Sequence, residues 1–101
     1  MATANLNPIS SSPQFTLLHG NWKAALHAAN SFLGRDAEAY KLDSRADRRA
    51  KILLAAPALN LGDVARKFQI LEHYLCIGSG HVIVSLAIRE INSDFKSLES
   101  N

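Results

Sequence analysis

Pro57 divides this chain, and the stretch behind it organises the rest. Proline has no amide hydrogen and its ring strikes the preceding turn, so the helix through residues 52–56 must end there. Three residues later, Asn60 can accept a hydrogen bond from a free amide of a new first turn, and Asp63 favours the positive end of that helix. Leu61, Val64, Phe68, Leu71 and Leu75 then recur at 3-4-3-4 spacing. That spacing predicts an amphipathic helix over 60–75 with one apolar stripe to bury.

The same period runs through most of the chain. Phe15, Leu18, Trp22, Ala25, Ala29 and Phe32 predict a first helix, with Leu26 and Leu33 widening its stripe. Gly20-Asn21 is its weak point: residues 14–20 either join the helix or form a separate short turn. Gly34 fits the left-handed position just past a helix end. In residues 36–56, Ala39, Leu42, Ala46, Ala50 and Leu53 form a narrow small-residue stripe, with Arg45, Arg48, Arg49 and Lys51 mainly opposite. Ser44 followed by Asp47 resembles a capping box, which starts the firm helix near Arg45 and leaves 36–43 as a loop or short turn. Gly78-Ser79-Gly80 is a break, with Ser79 as N-cap of a last helix. The Val- and Ile-rich run after it is ambiguous by composition, but Val84, Ile88, Ile91, Phe95 and Leu98 hold the helical period, and a lone strand would have no partner.

Four helical segments joined by short turns predict an all-α, compact bundle of about four helices. The expected organisation is a flexible arm over residues 1–13, one helical domain over 14–98 and a frayed tail at 99–101. Length supports this, since 101 residues suffice for one domain with its own core. The single cysteine, Cys76, excludes an internal disulfide and an all-cysteine zinc site. The first residues carry neither a basic start nor an apolar run, and no span reaches the roughly 20 apolar residues that cross a bilayer. A cytoplasmic location and no membrane partner are expected.

Several near-motifs offer chemistry and fall short of it. His73, Cys76 and His81 lie within nine residues, yet zinc needs three or four converging ligands, and Cys76 reads better as a small hydrophobe near a helix end. Cys76 with a histidine lacks a group to orient the base or an oxyanion site. Gly78-Ser79-Gly80 has no Lys-Ser or Lys-Thr after it and no strand before it, so it reads as a turn. No catalytic residue, cofactor or metal is assigned. The bases at 45–51 could meet phosphate or an acidic surface, although Asp47 stands four residues before Lys51 as a local ion-pair partner.

Residues 61–70, Leu-Gly-Asp-Val-Ala-Arg-Lys-Phe-Gln-Ile, resemble the first helix of a helix-turn-helix motif. The motif's tight turn has Gln69 where glycine is usual, and the stripe continues through it. More loosely, Trp22-x-x-Ala25-Leu26, the basic helix ending in Leu53-Leu54-Ala55-Ala56-Pro57-Ala58, and the following Lys67-Phe68 resemble small uncharacterised helical proteins of bacteria and their prophages. That resemblance implies an all-α fold and a role in binding another protein.

The expected function is therefore that of a small non-enzymatic regulatory or interaction protein that binds another protein, with homodimerisation as a second route to burying its stripes. The alternative is a DNA-binding transcriptional regulator using the 60–75 helix and the 45–51 basic face. The candidate interface residues are Trp22, Arg45, Arg48, Arg49, Ile83 and Ile88. Trp22 belongs to this set only if it is exposed, since a lone tryptophan is otherwise core. Apolar residues surround much of the last helix, Ile83 and Ile88 among them, more than one neighbouring layer would cover.

Overall fold

The structure is a computed structural model, and it describes residues 11–32, 34, 36–78 and 80–100. Four α-helices follow one another: α1 (Pro13–Ser31), α2 (Asp36–Ala55), α3 (Leu61–Ile77) and α4 (His81–Glu99). The arm expected over 1–13 lies outside the described residues up to position 10. Ser11, Ser12 and Pro13 belong to the folded domain, because Pro13 occupies the first turn of α1, where its missing amide hydrogen costs nothing.

Local signals account for most boundaries. Asn60 caps α3 by accepting the Asp63 amide at 2.9 Å, and Gly78 ends that helix in the left-handed conformation. Gly80, also left-handed, holds the N-cap position of α4. The cap expected at Ser79 falls outside the described residues. Residues 14–20 join the first helix: Gly20 sits within one continuous α1, its missing side chain facing open space. Two expectations are corrected. The Ser44/Asp47 signal does not start α2, which is already helical from Asp36, so tertiary contact extends the helix beyond its local cap. Gly34 is not left-handed: α1 ends in extended backbone at Phe32, whose ring occupies the space a side chain at Gly34 would need. At the other end the Ser100 amide and hydroxyl both donate to the Lys96 carbonyl, at 3.2 and 2.9 Å.

The helices pack as two hairpins, α1 on α2 and α3 on α4, with α2 also against α4. Small residues, Ala25 on α1 and Ala46 and Ala50 on α2, line the inner faces of the first hairpin. Phe15, Trp22, Leu53, Leu54, Val64, Ile70, Tyr74, Ile83 and Ile91 fill the common core. Fully burying one side chain of this size contributes roughly 1.5–3 kcal/mol.

Helices α3 and α4 bury only part of the stripes their spacing predicts: Val64 and Ile91 are core and Leu71, Val84 and Leu98 pack half-buried against it, while Leu61, Phe68, Leu75, Ile88 and Phe95 stay exposed. The inward residues of α3 are Asp63, Val64, Lys67, Ile70 and Tyr74, a face turned about a quarter turn from the line of Leu61, Phe68 and Leu75. On α4 the inward residues are Ile83, Ala87, Ile91 and Asp94, likewise turned about a quarter turn from the line of Ile88 and Phe95. Two charges decide this. Lys67 is fully buried, its ammonium 2.5 Å from the carboxylate of Asp94 and 5.7 Å from the centre of the Phe15 ring. Asp94 also accepts the Ala58 amide at 3.3 Å, and Asp63 binds the start of α1. A buried charge is tolerated only when paired, so each of these residues fixes which way its helix faces.

Candidate functional site

The rotation of α3 and α4 leaves an apolar ladder on their outer side. Leu61, Phe68 and Leu75 stand seven residues apart on α3, and Ile88 and Phe95 seven apart on α4, so each set forms one line down its helix. Their exposures are 59%, 45%, 59%, 49% and 41%. The Phe68 and Phe95 ring centres are 6.4 Å apart, which joins the two lines into one surface. In a hairpin of opposed helices, seven residues on from Phe68 lies level with seven residues back from Phe95. Leu75 therefore stands opposite Ile88. Half-buried Leu71 and Val84 floor the space between the lines. Glu72 from α3 and Lys96 from α4 are exposed beside the ladder.

The sequence-derived interface residues scatter around the molecule. Trp22 and Ile83, each 3% exposed, are core residues and offer no surface. Ile88 lies on the ladder. Arg45, Arg48 and Arg49 are exposed on α2, away from it, and Arg45 and Arg48 line a shallow depression with Tyr40, Lys41 and Ser44. Asp47 does not serve that face: it accepts a hydrogen bond from Tyr74 of α3 at 2.7 Å. Phe68, Leu61, Leu75 and Phe95 were readable only as core. No sequence signal separates them from the buried members of the same stripes, since Val64 and Leu71, and Val84, Ile91 and Leu98, keep the same seven-residue spacing.

A second polar and aromatic row links α1 and α3. His19, Trp22, His73 and Tyr74 follow in ring-to-ring steps of 5.7, 5.6 and 5.0 Å. His73 is thus an edge-on partner of Trp22 and Tyr74, Cys76 is exposed instead of packed, and His81 is exposed. Among the described residues, no three His, Cys, Asp or Glu side chains are placed to hold a metal ion. Burial, reinforced by the charge of Arg66, lowers the His19 pKa below its ordinary value. Arg66 Nη1 approaches His19 Nδ1 at 3.4 Å, which suits a neutral ring accepting there.

Burial and then the bond to Asp47 raise the Tyr74 pKa above that of a free tyrosine. A phenol protonated in the folded state and ionised in the unfolded one stabilises the fold below pH about 10, and that contribution falls as pH climbs through the folded pKa. Alkaline denaturation followed by circular dichroism should show stability declining above pH about 10. Tyr74→Phe should flatten that decline; an unchanged alkaline limb would refute the assignment.

Helix α3 runs without interruption through Gln69, so the tight turn of a helix-turn-helix motif does not occur there. Among the described residues no helix is long and apolar enough to cross a membrane. Compared with known proteins, the chain matches no family model, and no curated protein or solved structure is significantly similar to it.

Proposed function

We propose that this chain is a small non-enzymatic interaction protein of the cytoplasm, acting by binding protein through the outer face of α3 and α4. The observation that carries this reading is the ladder of Leu61, Phe68, Leu75, Ile88 and Phe95, exposed along the α3–α4 hairpin. Helices present such lines to other helices, because knobs at heptad spacing fill the holes of a facing helix. The buried Lys67–Asp94 pair supports the same reading, since it keeps the apolar line outward. Without that pair, the larger Phe68 and Leu75 would compete for the core.

A DNA-binding regulator is the second reading, favoured by the basic depression of Lys41, Arg45 and Arg48 beside Tyr40. Phosphate contacts release counterions, so such binding weakens steeply with salt, whereas an apolar helix contact does not. One experiment separates the two. Tagged protein is incubated with nuclease-treated and untreated host lysate, using wild type, Phe68→Asp, and a triple variant with Arg45, Arg48 and Arg49 changed to Gln. The expected result is a nuclease-resistant protein partner retained by the triple variant and lost from Phe68→Asp. Nucleic acid released by rising salt, and absent with the triple variant, would replace the proposal with the second reading.

A further inference from the structure

We infer that the occupant of the α3–α4 face is a second copy of this chain, the two hairpins closing into an antiparallel four-helix bundle about a two-fold axis. This rests on the reading of that face as a protein-docking surface. It goes further by naming what docks.

Self-complementarity carries the inference. Phe68 lies level with Phe95 and Leu75 with Ile88, so the hairpin shows two rungs, each with one apolar residue from either helix. A two-fold axis running along the helices sets α3 of one copy over α4 of the other at the same level, and each rung meets its own image. Aromatic meets aromatic and aliphatic meets aliphatic. An isologous contact requires one patch to fit itself in this way.

Charge agrees with the same arrangement. Along α3, Glu72 falls between the Phe68 and Leu75 rungs; along α4, Lys96 directly follows the Phe95 rung, and both are exposed. Setting α3 over α4 of the other copy brings Glu72 to the edge that carries Lys96. Two acidic or two basic edges would instead repel.

Area is sufficient as well. Side chains of this size, exposed by two-fifths to three-fifths, present on the order of 400–500 Å² of apolar surface on one copy. Two copies bury about twice that from the ladder, and the polar rim brings the total to roughly the 1,200 Å² at which stable interfaces begin. Ser11, where the described residues begin, is tied to Gly62 and Arg66 on the side of α3 that faces α1.

Sedimentation equilibrium across micromolar to submillimolar concentration tests this directly. Wild type is expected to move from the 11.0 kDa chain toward about 22 kDa, twice that mass. Phe68→Asp and Ile88→Asp should remain at 11.0 kDa with unchanged helical circular dichroism. Should either variant lose helicity, the rim decides without touching the core: Glu72→Lys should weaken dimerisation by about tenfold or more, and Lys96→Glu added to it should restore most of the loss. A wild type that stays monomeric overturns the inference. A dimer indifferent to both Phe68→Asp and Glu72→Lys also overturns it, since the contact then lies elsewhere. Full-length monomer that dimerises once residues 1–10 are removed gives the face to the chain's own start, and overturns it too. The docking reading is judged separately: if wild type is monomeric but loses a captured partner on Phe68→Asp, that reading stands alone, and if capture is unaffected both fall.

Discussion

Changing Lys67 to Met while Asp94 remains should cost about 3–5 kcal/mol of folding stability, the largest single effect in this protein. The side chain of Lys67 has no exposed surface and that of Asp94 only 7%, so the variant leaves a carboxylate in the core without its counter-ion. Asp94→Asn should cost a similar amount by stranding the ammonium, while its amide oxygen still receives the Ala58 amide. The informative variant is the double one. With both charges gone, the penalty should fall well below the sum of the single changes, and the difference is the coupling energy of the pair. Urea unfolding followed by circular dichroism measures all four proteins, provided the slope with denaturant is unchanged. Additive losses would mean that the two residues act independently, and that the pair does not fix the faces of α3 and α4.

The second large effect is expected at Asp63. Its carboxylate is fully buried and receives the Ser12 amide at 2.7 Å, the Ser12 hydroxyl at 3.0 Å and the Leu59 amide at 2.9 Å. Asp63→Ala would leave two backbone amides without an acceptor, at about 1–3 kcal/mol each, and would release the start of α1 from α3. A total loss of about 3–4 kcal/mol is expected, against about 1 kcal/mol for Ser12→Ala, which removes only the hydroxyl. Hydrogen exchange gives the site-specific check. The Ser12 and Leu59 amides should lose protection in Asp63→Ala far beyond any global change, and unaltered protection would remove Asp63 from its role as the clasp between the two hairpins.

The two residues also mark the boundary of what a one-dimensional reading can find. Pro57, Asn60, Gly78 and the helical period of the last segment are local signals, and each acts within about one helical turn of the residue that carries it. The all-α class and the start of α3 follow from them, as does helix instead of strand for residues 81–99. Asp63 was legible as a favourable charge at a helix start. Its bond to Ser12, 51 positions away in the chain, was not.

The face of each helix is where the sequence stopped and the tertiary structure began. Periodicity ranks residues by polarity, so it set Leu61, Phe68 and Leu75 on the buried stripe. The folded chain leaves them exposed and buries Lys67 in their place, because a charge's cost of leaving water depends on what stands beside it, and Asp94 arrives from another helix. The apolar ladder and the burial of Ile83 follow from that pairing of helices. Local chemistry determined that there would be helices and where most of them stop; only contact between distant charges decided which sides they turn to solvent, and hence which surface is left to bind.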